Sequence, residues 1–209
     1  MPDPESAKPW RPLSVAEVAA LFRTAHFRWW IAGGYAIELF VGTPFRTHAD
    51  IDILVLRRDT STARQLLGTL DVWMADPPGQ LRSWSADETL PQHLHDVWCR
   101  PSADAPWCLQ LMIDESEGDC WRPRRCPAIS LSLDELGFRL SSGTPVLKPE
   151  LQLFYKAKGR RPKDEQDFER CLPRLGPHQH QWLANAIALA HGPDTPWLAR
   201  LADIATGSD

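Results

Sequence analysis

Apolar positions along this chain change period several times, and each change marks an element. Val15, Val18, Ala19 and Phe22 recur at helical spacing behind the capping-box tetrapeptide Ser14-Val15-Ala16-Glu17, which predicts a helix over about 14–25. Arg28 to Ala32 is short, aromatic and apolar, as a buried strand is, and Gly33-Gly34 breaks it. Tyr35 to Phe40 returns to helical spacing with Ala36, Leu39 and Phe40 inward. After a turn from Gly42 to Arg46, the run Asp50 to Leu56 alternates: Ile51, Ile53 and Val55 share one face, and Asp50, Asp52 and Leu54 share the other. Asp59 to Leu70 reads as a helix and Val72 to Ala75 as a strand. Residues 76–92, rich in Pro, Gly, Ser and Asp, read as loop. Val97–Arg100 and Trp107–Asp114 read as an antiparallel pair about a turn from Pro101 to Pro106. Trp121, Ile129–Leu133 and Val146-Leu147 are further short extended pieces.

From Pro149 the texture becomes helical. Proline suits a first helical position, and ELQLFYKAK follows it. Residues 164–172, 178–190 and 197–204 are amphipathic, with breaks at 159–162, Pro173, Gly176-Pro177 and Gly192-Pro193. The expected fold class is therefore α/β (α+β), with a mixed-sheet core and a C-terminal helical part. The expected boundaries are a loose leader over 1–13, a mixed domain over 14–148 and a helical region over 149–209.

Composition narrows the partners. The chain has 209 residues, a hydrophobic fraction of 43%, a formal charge of -4 and a pI near 6.0. Without a basic excess it is poorly suited to wrapping a long nucleic acid, whose binding is dominated by phosphate contacts. No apolar run reaches the roughly 20 residues of a membrane helix. The start, MPDPESAKPWRP, lacks the apolar region of a signal peptide. Five cysteines without a CxxC pair fit free thiols and a cytoplasmic location.

The chemistry begins with Asp50 and Asp52. Two carboxylates at i and i+2 of a strand point to one side, where their oxygens can share a hard cation such as Mg²⁺ with phosphate oxygens and water. A third carboxylate on a neighbouring strand would complete a two-metal arrangement. Asp114 is the choice, because it ends an apolar strand and faces with Gln110 and Met112; Glu115 is the runner-up by a one-residue change of register. Gly33-Gly34 supplies a turn whose backbone can approach a phosphate, ahead of a helix N-terminus with free N–H groups. Each signal alone is weak. Their order (strand, Gly-Gly, helix, then Asp-x-Asp on a new strand) points to nucleotide chemistry.

With those residues in view, GGYAIELFVGTPFRTHADIDILVLRRD resembles the nucleotidyltransferase superfamily that includes DNA polymerase beta. Within it, the likeness is to the small antibiotic enzymes acting on aminoglycosides and lincosamides, which carry a GGW-A-I-D stretch and then R-x-H-x-D-I-D. The matching positions are Gly33, Gly34, Ala36, Ile37, Arg46, His48, Asp50, Ile51 and Asp52, with Tyr35 for Trp and Glu38 for Asp. KPELQLFYKAKGRRPKDEQDFE resembles that branch's helical region, so the likeness spans about 28–60 and 107–172.

The resemblance implies metal-dependent transfer of a nucleoside monophosphate, most often AMP from ATP, to a hydroxyl of a small molecule. Asp50, Asp52 and Asp114 would be catalytic and would hold Mg²⁺, two ions in the usual arrangement. Gly33, Gly34, Arg46, His48 and Lys156 would bind the nucleotide. Local alternatives stay open: His48 as a locally bonded loop histidine, Arg46 as a partner of Glu38, and the basic cluster from Lys158 to Lys163 as a solvated face or partner of Asp164 and Asp167. An aminoglycoside is a polycation, and Asp87, Glu88, Glu115, Glu117 and Asp119 are candidates for an acidic cleft; the tryptophans of 73–121 would instead wall a lincosamide site. Two other functions are weighed against this one: a toxin or regulator that modifies protein or tRNA, and a nucleotide-binding module without catalysis.

Overall fold

The computed structural model describes residues 5–77 and 80–206. Helix α1 (Val15–Leu21) starts at the predicted capping box, where the Ser14 side chain accepts from the Glu17 N–H and Glu17 accepts from the Ser14 N–H. Strand β1 (Trp29–Ala32), helix α2 (Gly33–Val41) and strand β2 (Asp52–Leu56) follow as a compact unit. Helix α3 (Thr60–Leu66) is shorter than the pattern predicts, because Arg57–Asp59 forms a 3-10 turn ahead of it. Next come β3 (Asp71–Ala75), β4 (Leu81–Ser83), β5 (Asp96–Arg100), β6 (Leu109–Glu117), β7 (Cys120–Arg122), β8 (Leu131–Ser132), β9 (Gly137–Arg139) and β10 (Pro145–Leu147). The chain closes with α4 (Pro149–Lys156), α5 (Pro162–Cys171), α6 (Pro177–His191) and α7 (Pro196–Thr206).

One sheet organises these pieces, in the order β4-β3-β5-β6-β2-β1-β10-β9, with β7 and β8 carried on β6. It is mixed: β2 runs parallel to β6 and β1 parallel to β10, while β1 and β2 are antiparallel. Central strands are apolar on both faces, with Ile53, Leu54, Val55, Leu111 and Ile113 all inaccessible, as strands covered on both sides are. Helices α2, α4 and α5 pack on one another, and α4 also packs on α6.

Two short strands escape the sequence pattern. β4 falls inside the predicted loop and pairs with β3 at the sheet edge, where its three residues, Leu-Arg-Ser, are too few to show an apolar alternation. β9 begins at Gly137, where a Cβ would lie 2.3 Å from the Trp30 ring; glycine is there to admit that indole. The expected loose leader is also anchored in its described part. Trp107 donates to the Pro9 carbonyl at 2.9 Å, Arg11 donates back to Trp107 at 2.8 Å, and Trp10 meets Trp98 edge-on at 5.0 Å. Such pairing is long-range and non-periodic, so nothing local signals it. Residues 1–4 of that leader lie outside the described residues.

Candidate active site

The N-terminus of α2 and the start of β2 meet at a cavity of about 430 Å³. Asp52 opens β2 and pairs across the sheet with Ala32, so it lies beside the residue that caps α2. Gly33 has φ +64, and a Cβ there would sit 1.8 Å from Asp52 Oδ2. At Gly34 a Cβ would sit 2.1 Å from Arg46 Nη2 and 2.5 Å from His48 Nδ1. The glycine pair is therefore fixed by what packs against it as well as by its own conformation. The Gly33 N–H donates to Gln152 Oε1 of α4 at 2.7 Å, which ties the helical part of the chain to the turn.

Asp50 and Asp52 both line this cavity, as do Gly33 and Gly34. Burial, and next the Asp50 charge, push the Asp52 carboxyl up to about 7; Asp96 adds to the rise and Lys156 opposes it. A carboxylate held so reluctantly as an anion is one that a cation would stabilise.

Arg46 lines the cavity, but its guanidinium is a two-pronged partner of Asp167, with Nε to Oδ1 at 2.7 Å and Nη2 to Oδ2 at 2.9 Å. Neither Glu38 nor a phosphate is needed to explain its position. Lys156 also lines the cavity, and its ammonium lies 2.8 Å from Asp167 and 3.1 Å from Asp164. Asp164 is gripped in turn by Arg161 at 2.8 Å. His48 is not part of the cavity lining. It bonds Glu38 Oε2 at 2.9 Å and stacks on Tyr35 with ring centroids 4.4 Å apart. Its place is behind Gly34, as a wedge that holds the turn.

Asp114 does not join the pair. It shares the Asp52 face of the sheet, as alternation requires, but Asp52 is level with Gln110, while Asp114 is level with Leu56. Four residues of strand separate the two levels, roughly 13 Å. The Asp114 carboxylate is 1% exposed and accepts from the Tyr155 hydroxyl at 2.5 Å and the Trp121 indole N–H at 2.8 Å. Burial raises it to about 6, with those two hydrogen bonds working in the other direction. Glu115, the runner-up, is the ion-pair partner of Arg57 and does not line the cavity.

The third carboxylate in the cavity on the sheet face is Asp96, the first residue of β5. It is level with Met112 and accepts from Gln110 Nε2 at 3.0 Å. Its signal was present: like Asp52, Asp96 stands at the head of an apolar strand. Gln152, Tyr155, Arg124 and Arg125 also line the cavity, and none of them follows from local pattern. Among the described residues, no group of three or more His, Cys, Asp or Glu side chains is close enough to hold a metal ion as it stands. Asp50 and Asp52 nevertheless form a hard oxygen donor pair suited to a cation that takes its other ligands from phosphate and water.

The acidic loops do not line this cavity. Glu88 pairs with Arg82, Glu117 pairs with Arg122, and Asp119 is 89% exposed. Nor do the tryptophans of 73–121 wall it: Trp84, Trp107 and Trp121 are core residues.

The family model of aminoglycoside-2''-adenylyltransferase matches residues 14–73, a span that contains Gly33, Gly34, Arg46, His48, Asp50 and Asp52. The chain resembles the antibiotic nucleotidyltransferases. Two solved structures share the fold. One is the lincosamide antibiotic adenylyltransferase LnuA with lincomycin bound, at TM-score 0.51 and 15% identity over 78% of this chain and 96% of that one. The other is ANT(2")-Ia in complex with adenylyl-2"-tobramycin, at TM-score 0.51 and 13% identity over 83% and 95%. No curated protein sequence matches the chain. The resemblance is thus to adenylyltransferase enzymes, and the mixed α/β fold is the nucleotidyltransferase one.

Proposed function

We propose that the chain transfers a nucleoside monophosphate, AMP from ATP, to a hydroxyl of a small molecule and releases pyrophosphate. The observation that carries this reading is the meeting of Asp50 and Asp52 with the Gly33-Gly34 helix start in one cavity. The N–H groups that follow Gly33 at the start of α2 would face phosphate oxygens, and Lys163 would add positive charge on the same wall beside the ion-paired Lys156 and Arg161. Gln152 holds the Gly33 N–H and so fixes the turn. A hard divalent cation such as Mg²⁺ on Asp50 and Asp52 would neutralise the triphosphate and the leaving pyrophosphate.

The acceptor oxygen forms its bond to the α-phosphorus as the bond from that phosphorus to the pyrophosphate oxygen breaks. The hydroxyl proton passes to Asp96, the carboxylate placed two strands from Asp52. Positioning and charge neutralisation carry the rate, with no covalent intermediate on the protein. On this reading the two expected regions divide the work. Residues 14–148 bring the carboxylates, and residues 149–209 bring Gln152, Tyr155 and Lys156.

The test is incubation of the purified protein with ATP, Mg²⁺ and a panel of hydroxylated acceptors, read by mass spectrometry. The expected result is a product heavier by one nucleoside monophosphate, with one pyrophosphate released for each. Binding of ATP with no transfer to any acceptor would favour a non-catalytic nucleotide-binding module instead.

A further inference from the structure

The acceptor side of the site carries a charge that bears on its substrate. Across the sheet the cavity runs from the Gly33 turn to Asp52 on β2, then to Gln110 and Met112 on β6, and ends at Asp96 on β5. In-line displacement puts the incoming hydroxyl and the leaving pyrophosphate on opposite sides of the α-phosphorus. With the triphosphate at the Gly33 end, the acceptor arrives from the Asp96 end. There the wall is made by Arg124 and Arg125, which also line a second cavity of about 500 Å³. Its charged lining, among the described residues, is three cations, Arg124, Arg125 and Lys158, and beside them stand two imidazoles, His95 and His191, which burial first and the neighbouring arginines next hold below the ordinary histidine range.

These cations are thinly matched. Arg124 has Asp96 at 3.9 Å, at the far limit of an ion pair. Arg125 donates to the Tyr155 carbonyl, and both guanidinium groups lie over the Tyr155 ring, at 5.7 and 5.4 Å. Burial first, and then the neighbouring Arg124 charge, make Arg125 easier to deprotonate than a free arginine, with Tyr155, Asp114 and Asp164 acting more weakly the other way. An amine-rich polycation would meet repulsion here, whereas an oxyanion would relieve the crowding. The volume suits a small molecule.

We propose that the acceptor is a small hydroxylated molecule bearing an oxyanion, a phosphate or a carboxylate, which docks against Arg124, Arg125 and Lys158 while its hydroxyl faces Asp96. This deepens the nucleotidyl-transfer reading and rests on it for the placement of the triphosphate.

Equilibrium binding tests it on the full chain loaded with Mg²⁺ and a non-hydrolysable ATP analogue, which occupies the nucleotide end. Four probes share one ring: glucose 6-phosphate, glucuronate, glucose and glucosamine. At least one of the two anions is expected to bind tenfold or more tightly than glucose, with glucosamine weakest; which anion wins separates phosphate from carboxylate. Lys158→Gln, at an exposed position, should cut the anion-over-glucose ratio severalfold and leave affinity for the ATP analogue unchanged. Equal binding of all four, tighter binding of glucosamine, or an unchanged ratio in Lys158→Gln would overturn the proposal. Acceptor-dependent pyrophosphate release with the same probes and with an aminoglycoside separates the two levels. Absence of release with every acceptor counts against nucleotidyl transfer to small molecules, while the binding ratios still decide the anion site. Efficient transfer to the aminoglycoside alone, or label appearing only in protein or RNA, overturns the anionic small-molecule acceptor and leaves nucleotidyl transfer standing.

Discussion

At the residue scale, Gly33 and Asp52 define each other. Gly33→Ala puts a methyl group into the Asp52 carboxylate at a backbone angle of +64, so it strains the turn and displaces the anion together. The expected cost is about 1–3 kcal/mol in chemical denaturation, with loss of transfer activity. Asp52 has a separate signature. Folded, it keeps its proton to about pH 7; unfolded, to about pH 4. Between those values the folded chain holds more protons than the unfolded one, so this group lowers stability progressively as pH rises. Asp52→Asn removes the effect. Its Tm should exceed that of the wild type above pH 7, and the excess should shrink as pH falls toward 4. An excess that does not depend on pH would show that the charge is not the cause.

At the scale of elements, the strands decide which carboxylates meet. Period-two alternation placed Asp114 on the correct face but carried no information on strand level, and the β2–β6 register moved it four residues from Asp52. Asp96→Asn is therefore expected to slow transfer by about 10²–10⁴-fold, the range of a lost acid–base group. Asp114→Asn should leave most of the rate. Asp114→Ala should instead show as instability, by about 1–3 kcal/mol for each donor orphaned on Tyr155 and Trp121. Steady-state rates and denaturation curves on the three variants distinguish the roles. Between α2 and the helical region, Asp167 is wholly buried against Arg46 and Lys156. Asp167→Ala leaves Arg46 without its carboxylate and Lys156 with Asp164 alone, and a loss of about 3–5 kcal/mol is expected in thermal or denaturant unfolding.

At the scale of the molecule, what was legible in the sequence was local. The capping box at Ser14, the Gly-Gly break, the alternation from Ile51 to Val55 and the proline-led helix at Pro149 each rest on residues within one turn or one strand. The sheet order was not legible, because β1 pairs with β10 from across the chain. For the same reason the ion network from Arg46 through Asp167 and Lys156 to Asp164 is only half legible: the sequence offers Asp164 and Asp167 as partners of the nearby basic cluster, but nothing in it signals that Arg46 reaches Asp167 over 121 residues. The basic acceptor wall was hidden likewise, since Arg124, Lys158 and His191 lie far apart in the chain and the overall charge of -4 suggests the opposite sign.

In the proposed reaction Asp50 and Asp52 serve nucleotidyl transfer. Acceptor-dependent pyrophosphate release, followed with ATP across a Mg²⁺ titration in wild type and Asp50→Asn, tests it most directly. Release is expected to rise with Mg²⁺ in the wild type and to be abolished in Asp50→Asn, with the fold retained by circular dichroism. Release at the wild-type rate in a folded Asp50→Asn protein would contradict it.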